Sequence, residues 1–293
     1  MAEGHAPTYD TVPGGNTQPS TRPNTPGRTP DPQLSGVLRS LGMDIPRLFT
    51  IRESGSRIYN PIRAEQLAHL GRALHLKPGT TALDLGSGSG EMLCTWARDH
   101  GLTGVGVDMS VTFTERARAR AVELGVADLV SFVHDDATGY VATDPVDLAA
   151  CVGATWIGGG VAGTVELLAR SLKTPGLMLI GEPYWRRLPV EAEVIAGLEA
   201  VEGIKVTDFL CLPELLEQFG ELGYGVVEMV NADQDSWDRY QAHQWCSLRS
   251  WLDENPDDEL ADEVRETLRT EPAAYARYTR EYFGWGIFAL RQF

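Results

Sequence analysis

The stretch Leu83-Asp84-Leu85-Gly86-Ser87-Gly88-Ser89-Gly90-Glu91-Met92 narrows the possible folds more than any other part of the chain. An apolar run ends in it, a helical pattern starts after it, and three glycines stand between. Glycine accepts φ > 0 and lets another group come close to the backbone, which suits a tight strand-to-helix joint beneath a ligand. The alternation then repeats. Thr81–Leu85 reads as a strand followed by a helix through His100, 104–108 (GVGVD) as a strand followed by a helix over Thr112–Leu124, and 130–136 (VSFVHDD) as a third strand. The run 146–153 (VDLAACVG) lacks polar alternation, as a strand buried on both faces does. A helix over Gly163–Leu172 leads to a strand over 176–183 (GLMLIGEP). Strands over 223–230 and 285–290 finish the pattern, with helices near 61–76, 190–200, 212–222 and 234–282. Strand–helix alternation at this spacing predicts right-handed crossovers, hence an α/β, doubly wound, mostly parallel seven-stranded sheet with helices on both faces.

Residues 1–33 break from this pattern. They hold seven of the 17 prolines, mixed with Gly, Thr, Asn and Ser, and too few apolar groups to offset the entropy of ordering them. The expectation is a disordered tail over 1–33, a short helix over Leu34–Leu41, and one folded domain over 34–293 with inserted helices near 186–222 and 234–282. The formal net charge of −16 opposes binding to phosphate backbones, so nucleic acid is not the expected partner. The four cysteines, Cys94, Cys151, Cys211 and Cys246, have no metal-site spacing, and no metal is expected. The opening MAEGHAPTYD lacks the basic-then-apolar pattern of a secretory leader, and no apolar run nears the roughly 18 residues of a membrane span. A cytoplasmic protein acting on a small molecule, away from membranes, is the expectation; oligomeric state is open.

In an open parallel sheet, ligands bind beyond the carboxyl ends of the strands, at the switch point where the glycine turn falls. A dinucleotide needs Gly-x-Gly-x-x-Gly or Ala there. Counting from Gly86 gives Gly88 and then Glu91, where a small residue should pack and where a carboxylate opposes a pyrophosphate. S-adenosylmethionine poses different demands: a cationic sulfonium, an amino-acid end bearing both charges, and a ribose with free hydroxyls. Asp84 suits the ammonium, bare amides at the helix start suit the carboxylate, and Asp108 ends the second strand where a ribose acid belongs.

With these residues in view, the chain resembles the class I S-adenosylmethionine-dependent methyltransferases, nearest to the small-molecule branch of quinone-biosynthesis and cyclopropane-synthase-like enzymes. LDLGSGSG is similar to the family's first motif, which implies that Asp84, Gly86, Ser87 and Gly88 surround the methionine end. GVGVDMS resembles the second, which implies Asp108 on the ribose and Met109 against the adenine; HDDATGYV resembles the third, which implies Asp136 and Ala137 at the adenine. The resemblance implies the Rossmann-like methyltransferase fold, S-adenosylmethionine as cofactor, and in-line methyl transfer to a small organic acceptor. CVGATWIGGG and GEPYW stand where the later motifs fall, without the Asn-Pro-Pro-Tyr of amino-group methylases on DNA or the catalytic acids of catechol-type enzymes. The alternatives are a non-catalytic S-adenosylmethionine-binding regulator and an NAD-dependent oxidoreductase, which Glu91 disfavours.

Position supplies the remaining candidates. Cys151 ends a buried strand and is expected to line the cofactor site without chemistry. Glu182, His134 and Tyr184 stand at strand ends as candidate bases, each with a structural alternative. Arg57 and Tyr59, ahead of the first strand, and Trp156 and Trp185, after the fourth and fifth, are expected at the acceptor pocket. Asp108 could instead cap the following helix.

Overall fold

A computed structural model describes residues 45–293; the expected tail, the helix over Leu34–Leu41 and the domain start at Leu34 lie outside the described residues. Helices α1 (Arg47–Arg52) and α2 (Ala64–Ala73) precede β1 (Thr81–Leu85). Then come α3 (Glu91–His100), β2 (Thr103–Asp108), α4 (Val111–Glu123), β3 (Val130–His134) and β4 (Val146–Val152). A 3-10 turn (Thr155–Gly158), α5 (Val161–Ala169) and β5 (Leu172–Trp185) follow. The remainder is α6 (Ala192–Glu202), a 3-10 turn (Val206–Asp208), α7 (Leu212–Glu221), β6 (Tyr224–Asn231), α8 (Gln234–Glu254), α9 (Ala261–Ala274), a π turn (Tyr275–Thr279), α10 (Arg280–Tyr282) and β7 (Phe283–Gln292).

The seven strands form one sheet in the order β3-β2-β1-β4-β5-β7-β6, parallel throughout except for β7, which runs antiparallel to both its neighbours. This is the doubly wound sheet that the alternation predicts. Its pleat sends successive side chains to opposite faces. Ala82, Leu148, Ala150, Leu177, Leu179, Trp185 and Ile287 join the core on one face, with α2 and α3. Leu83, Leu85, Cys151, Met178, Ile180, Tyr184 and Phe288 join the core on the other, with α5 and α7. Fully burying each Leu, Ile or Phe contributes roughly 1.5–3 kcal/mol, so both faces drive the sheet together.

Two elements differ from the sequence reading. β5 runs 14 residues, through Tyr184 and Trp185, because β7 pairs with it from Met178↔Leu290 to Trp185↔Phe283 after β4 has ended at Val152↔Gly181. The helical stretch over 234–282 breaks after Glu254, where Asn255 precedes Pro256 and takes φ −132°, ψ 55°. A residue before proline is pushed away from the helical region, so α8 stops there.

Candidate active site

Beyond the carboxyl ends of β1, β2 and β4 lies a cavity, open to solvent. Its rim and floor carry Asp84, Gly86, Ser87, Gly88, Asp108, Met109, Asp136 and Ala137, eight of the nine residues expected around a cofactor. The turn between β1 and α3 holds three left-handed glycines, Gly86 (φ 75°), Gly88 (φ 53°) and Gly90 (φ 71°). Gly90 has the tightest surroundings: a Cβ there would fall 2.5 Å from Phe132 and 2.8 Å from Ala117. It therefore does the close packing that a dinucleotide fingerprint assigns one residue later, to the position occupied here by Glu91.

Four amides of the turn are already taken within the fold. Gly86 and Ser87 N–H donate to the Val107 carbonyl (2.8 and 3.1 Å), Gly88 N–H to Asp108 Oδ2 (2.8 Å) and Gly90 N–H to the Ser87 carbonyl (2.9 Å). The turn gives the cavity shape more than donors. Asp108 Oδ1 accepts from Ser110 N–H (2.8 Å), so its carboxylate is fixed on both oxygens. It does not cap α4; the Ser110 hydroxyl does, accepting from Phe113 N–H. Asp84 is the opposite case. It is 3 % exposed, and its Oδ1 is buried without a hydrogen-bond partner among the described residues. Burial first, then the nearby negative charge of Asp108, pushes its carboxyl up to about 7. A buried carboxylate lacking a partner is costly, and a cation entering the cavity would relieve it.

Glu91 also reaches the cavity wall but is neutralised by a two-pronged ion pair with Arg120 (2.8 and 2.9 Å). Its repulsion of a pyrophosphate is thereby weakened; the missing small residue remains. Asp136 lines the cavity, its Oδ1 accepting from Thr138 N–H (2.8 Å), while Asp135 Oδ1 accepts from Asp136 N–H (2.8 Å).

Five expected site residues do not line the cavity, for reasons the pleat explains. Cys151, Glu182 and Tyr184 project from the opposite face of the sheet. Cys151 is fully buried, and burial raises its thiol pKa. Tyr184 packs on Phe288 (centroids 6.4 Å apart), and burial likewise raises its phenol pKa. Trp185 points to the cavity's face but lies under Phe283 and Phe209, donating its Nε1–H to the Val206 carbonyl (3.0 Å). His134 is exposed at the end of β3, where its Nε2 meets the Met109 carbonyl (2.9 Å) and steadies that backbone. The other three acceptor candidates, Arg57, Tyr59 and Trp156, do line the cavity. The Arg57 guanidinium, however, turns outward to Glu123 (2.9 Å), and the Tyr59 hydroxyl accepts from Arg116 (3.1 Å).

The segment before the sheet forms one wall, contributing Phe49, Ile58, Asn60 and Ile62, which the sequence reading did not single out as site residues. It is fastened to α8: buried Glu53 accepts from the Tyr240 hydroxyl and Gln244 Nε2 (2.7 Å each), and Tyr240 also donates to the Tyr59 carbonyl (3.0 Å). Asn60 donates to the Val152 carbonyl (3.3 Å) at the end of β4. Of these, only Ile58 and Asn60 fall in the polar, glycine-bearing segment 52–61, whose partners on α8 lie more than 180 residues away.

Comparison with known proteins agrees with this geometry. A family model described as a methyltransferase domain matches residues 82–176, from β1 into β5. An uncharacterised Escherichia coli K12 protein, YjhP, is 60 % identical over 248 residues, covering 85 % of this chain and 99 % of its own. A solved S-adenosylmethionine-dependent methyltransferase from Geobacter sulfurreducens, in complex with S-adenosyl-L-homocysteine, is 64 % identical with a TM-score of 0.82, covering 85 % of this chain and 99 % of its own. The cyclopropane synthase MmaA2 of Mycobacterium tuberculosis, 16 % identical, covers 85 % of this chain and 95 % of its own with a TM-score of 0.64, a likeness of fold alone. With a relative so similar over nearly its whole length, and the glycine turn, Asp84 and Asp108 gathered around one cavity, the chain belongs to the S-adenosylmethionine-dependent methyltransferases.

Proposed function

We propose that the cavity takes S-adenosylmethionine and that the enzyme transfers its methyl group to a small organic acceptor by in-line displacement. The observation that carries the reading is Asp84, a buried carboxyl with an unpartnered oxygen beside the glycine turn, in a chain whose Geobacter relative holds S-adenosyl-L-homocysteine. The residues fit that group. Asp84 offers a counter-charge to the ammonium. Asp108, fixed by two amides, stands where the ribose hydroxyls would lie. Met109, Ala137 and Asp136 stand where the adenine would lie, and Gly86 to Gly88 keep side chains clear of the methionine end. When bound, the cofactor supplies an activated methyl on a sulfonium.

This chain's part is then to bind, orient and exclude water. The wall at the end of β4, with Val152, Trp156, Ile62 and Ile287, is apolar and has the Asn60 carboxamide as its polar element. Holding acceptor and methyl aligned can supply most of the acceleration, about 7–11 kcal/mol in well-oriented cases. None of the expected bases, Glu182, His134 or Tyr184, lines the cavity, which favours positioning over proton abstraction. The net charge of −16 favours a small molecule over nucleic acid. No helix among the described residues is long and apolar enough to cross a membrane.

Incubating the protein with methyl-labelled S-adenosylmethionine and separate panels of small organic acceptors, DNA and RNA tests the reading. Label should pass to members of the small-molecule panel. Transfer to nucleic acid alone would overturn the acceptor class, and saturable binding without turnover on any panel would support a regulatory relative.

A further inference from the structure

The turn after β4 serves both halves of the cavity. Ala154 and Ile157 form its floor beneath the glycine turn: a Cβ on Gly86 would fall 2.7 Å from Ala154 Cβ and 3.3 Å from Ile157 Cδ1. Between them in sequence, Trp156 lines the cavity at the end of β4. A shift of this turn would therefore move the support of the methionine end and the acceptor wall together. Most bonds that hold it are its own or come from α5. Ile157 N–H donates to the Ala154 carbonyl (3.0 Å), Gly160 N–H to the Thr155 carbonyl (2.9 Å), and the Thr164 hydroxyl to that same carbonyl (2.7 Å).

A side-chain bond adds a tie to the sheet. The Thr155 hydroxyl donates to Glu182 Oε2 at 2.7 Å, with both residues buried. Glu182 lies on the face of β5 away from the cavity, where its neighbours on the strand, Ile180 and Tyr184, pack in the apolar core. A carboxyl is a costly side chain at such a position, and there it does not line the space the reactants would occupy. It does reach the turn from behind.

We infer that Glu182 is a positioning residue for methyl transfer: acting through Thr155, it holds the Ala154–Ile157 turn against Gly86 and sets Trp156 at the acceptor wall. The inference rests on the reading that the cavity takes S-adenosylmethionine and its demethylated product. It replaces the role of base that strand position alone suggests for Glu182.

Calorimetric titration of the full chain with S-adenosyl-L-homocysteine tests it without knowledge of the acceptor. Glu182→Leu and Thr155→Val should each weaken binding about tenfold, the scale of losing a hydrogen bond to a carboxyl. Glu182→Gln, whose amide oxygen still accepts from Thr155, should stay within about twofold of the unaltered protein, a rescue that a mere need for charge would not allow. The Thr155→Val/Glu182→Leu double variant should bind no worse than the weaker single variant, since both remove one interaction. Circular dichroism and melting accompany each titration. If Glu182→Leu fails to fold, Thr155→Val, which leaves the strand untouched, decides. Full affinity in Thr155→Val, or a Gln variant as weak as the Leu variant, overturns the inference while the cavity reading stands. Absence of binding by the unaltered protein overturns both.

Discussion

Asp84, next to last in β1, and Asp108, last in the neighbouring β2, face one cavity and are held in opposite ways. Asp108 accepts a backbone amide on each oxygen at 2.8 Å, so its geometry is set before any ligand arrives. Asp108→Ala should weaken S-adenosyl-L-homocysteine binding about tenfold to a hundredfold, the cost of losing charged hydrogen bonds. Wild-type affinity in that variant would reduce Asp108 to a brace for Gly88 and Ser110. Asp84, whose carboxyl sits at about 7, gives the site a pH dependence. A ligand ammonium favours the ionised carboxyl, so affinity should fall as pH drops from 8 to 6, by at most tenfold per unit, and Asp84→Asn should flatten the profile. The sign for stability is the reverse. Asp84 keeps its proton in the fold up to about pH 7 but loses it near 3.8 when unfolded, and Glu182, raised by burial to about 7, behaves alike. Without ligand, the stability these two groups confer is complete at low pH and is lost as pH rises from about 4 to about 7. Chemical denaturation of the ligand-free protein and of Asp84→Asn across that range would show the difference.

At the scale of elements, legibility followed from how local the causes are. β1, the glycine turn and the start of α3 could be read because strand period, left-handed glycines and helix start all lie within ten residues. Asp108 could be placed at a cavity because it ends β2, while Met109, Asp136 and Ala137 were placed there by the family resemblance. Glu182, Tyr184 and Trp185 could not, since their orientation depends on β7, about a hundred residues later, which carries β5 past its fourth-strand partner and so keeps the pleat running. Phe49 and Asn60 were hidden for a similar reason: α8 and the end of β4 hold their segment in place. The glycine turn yields a direct test of this element-level packing. Gly90→Ala puts a Cβ 2.5 Å from Phe132 at φ 71°, which should cost about 1–3 kcal/mol in overpacking, plus left-handed strain. A melting temperature several degrees lower is expected; an unchanged one would mean that Phe132 and α4 yield freely.

Across the whole molecule, the cavity is assembled from both ends of the described chain. Helix α1 packs with α8 and α9 around Ile51, Leu248 and Val264, and Arg52 pairs with Glu271, so the wall before the sheet is anchored by elements near the carboxyl terminus. Residues 1–33 have a composition with little to bury, and deleting them should change neither melting temperature nor cofactor affinity. A fall of several degrees would show that they dock on the enzyme. The central claim, that the cavity behind the glycine turn is built for S-adenosylmethionine rather than a dinucleotide, is tested most directly by calorimetry of the full chain with S-adenosyl-L-homocysteine and with NAD. Saturable micromolar binding of S-adenosyl-L-homocysteine, about −8 kcal/mol, with no heat from NAD is the predicted result; tight NAD binding with none for S-adenosyl-L-homocysteine would contradict it.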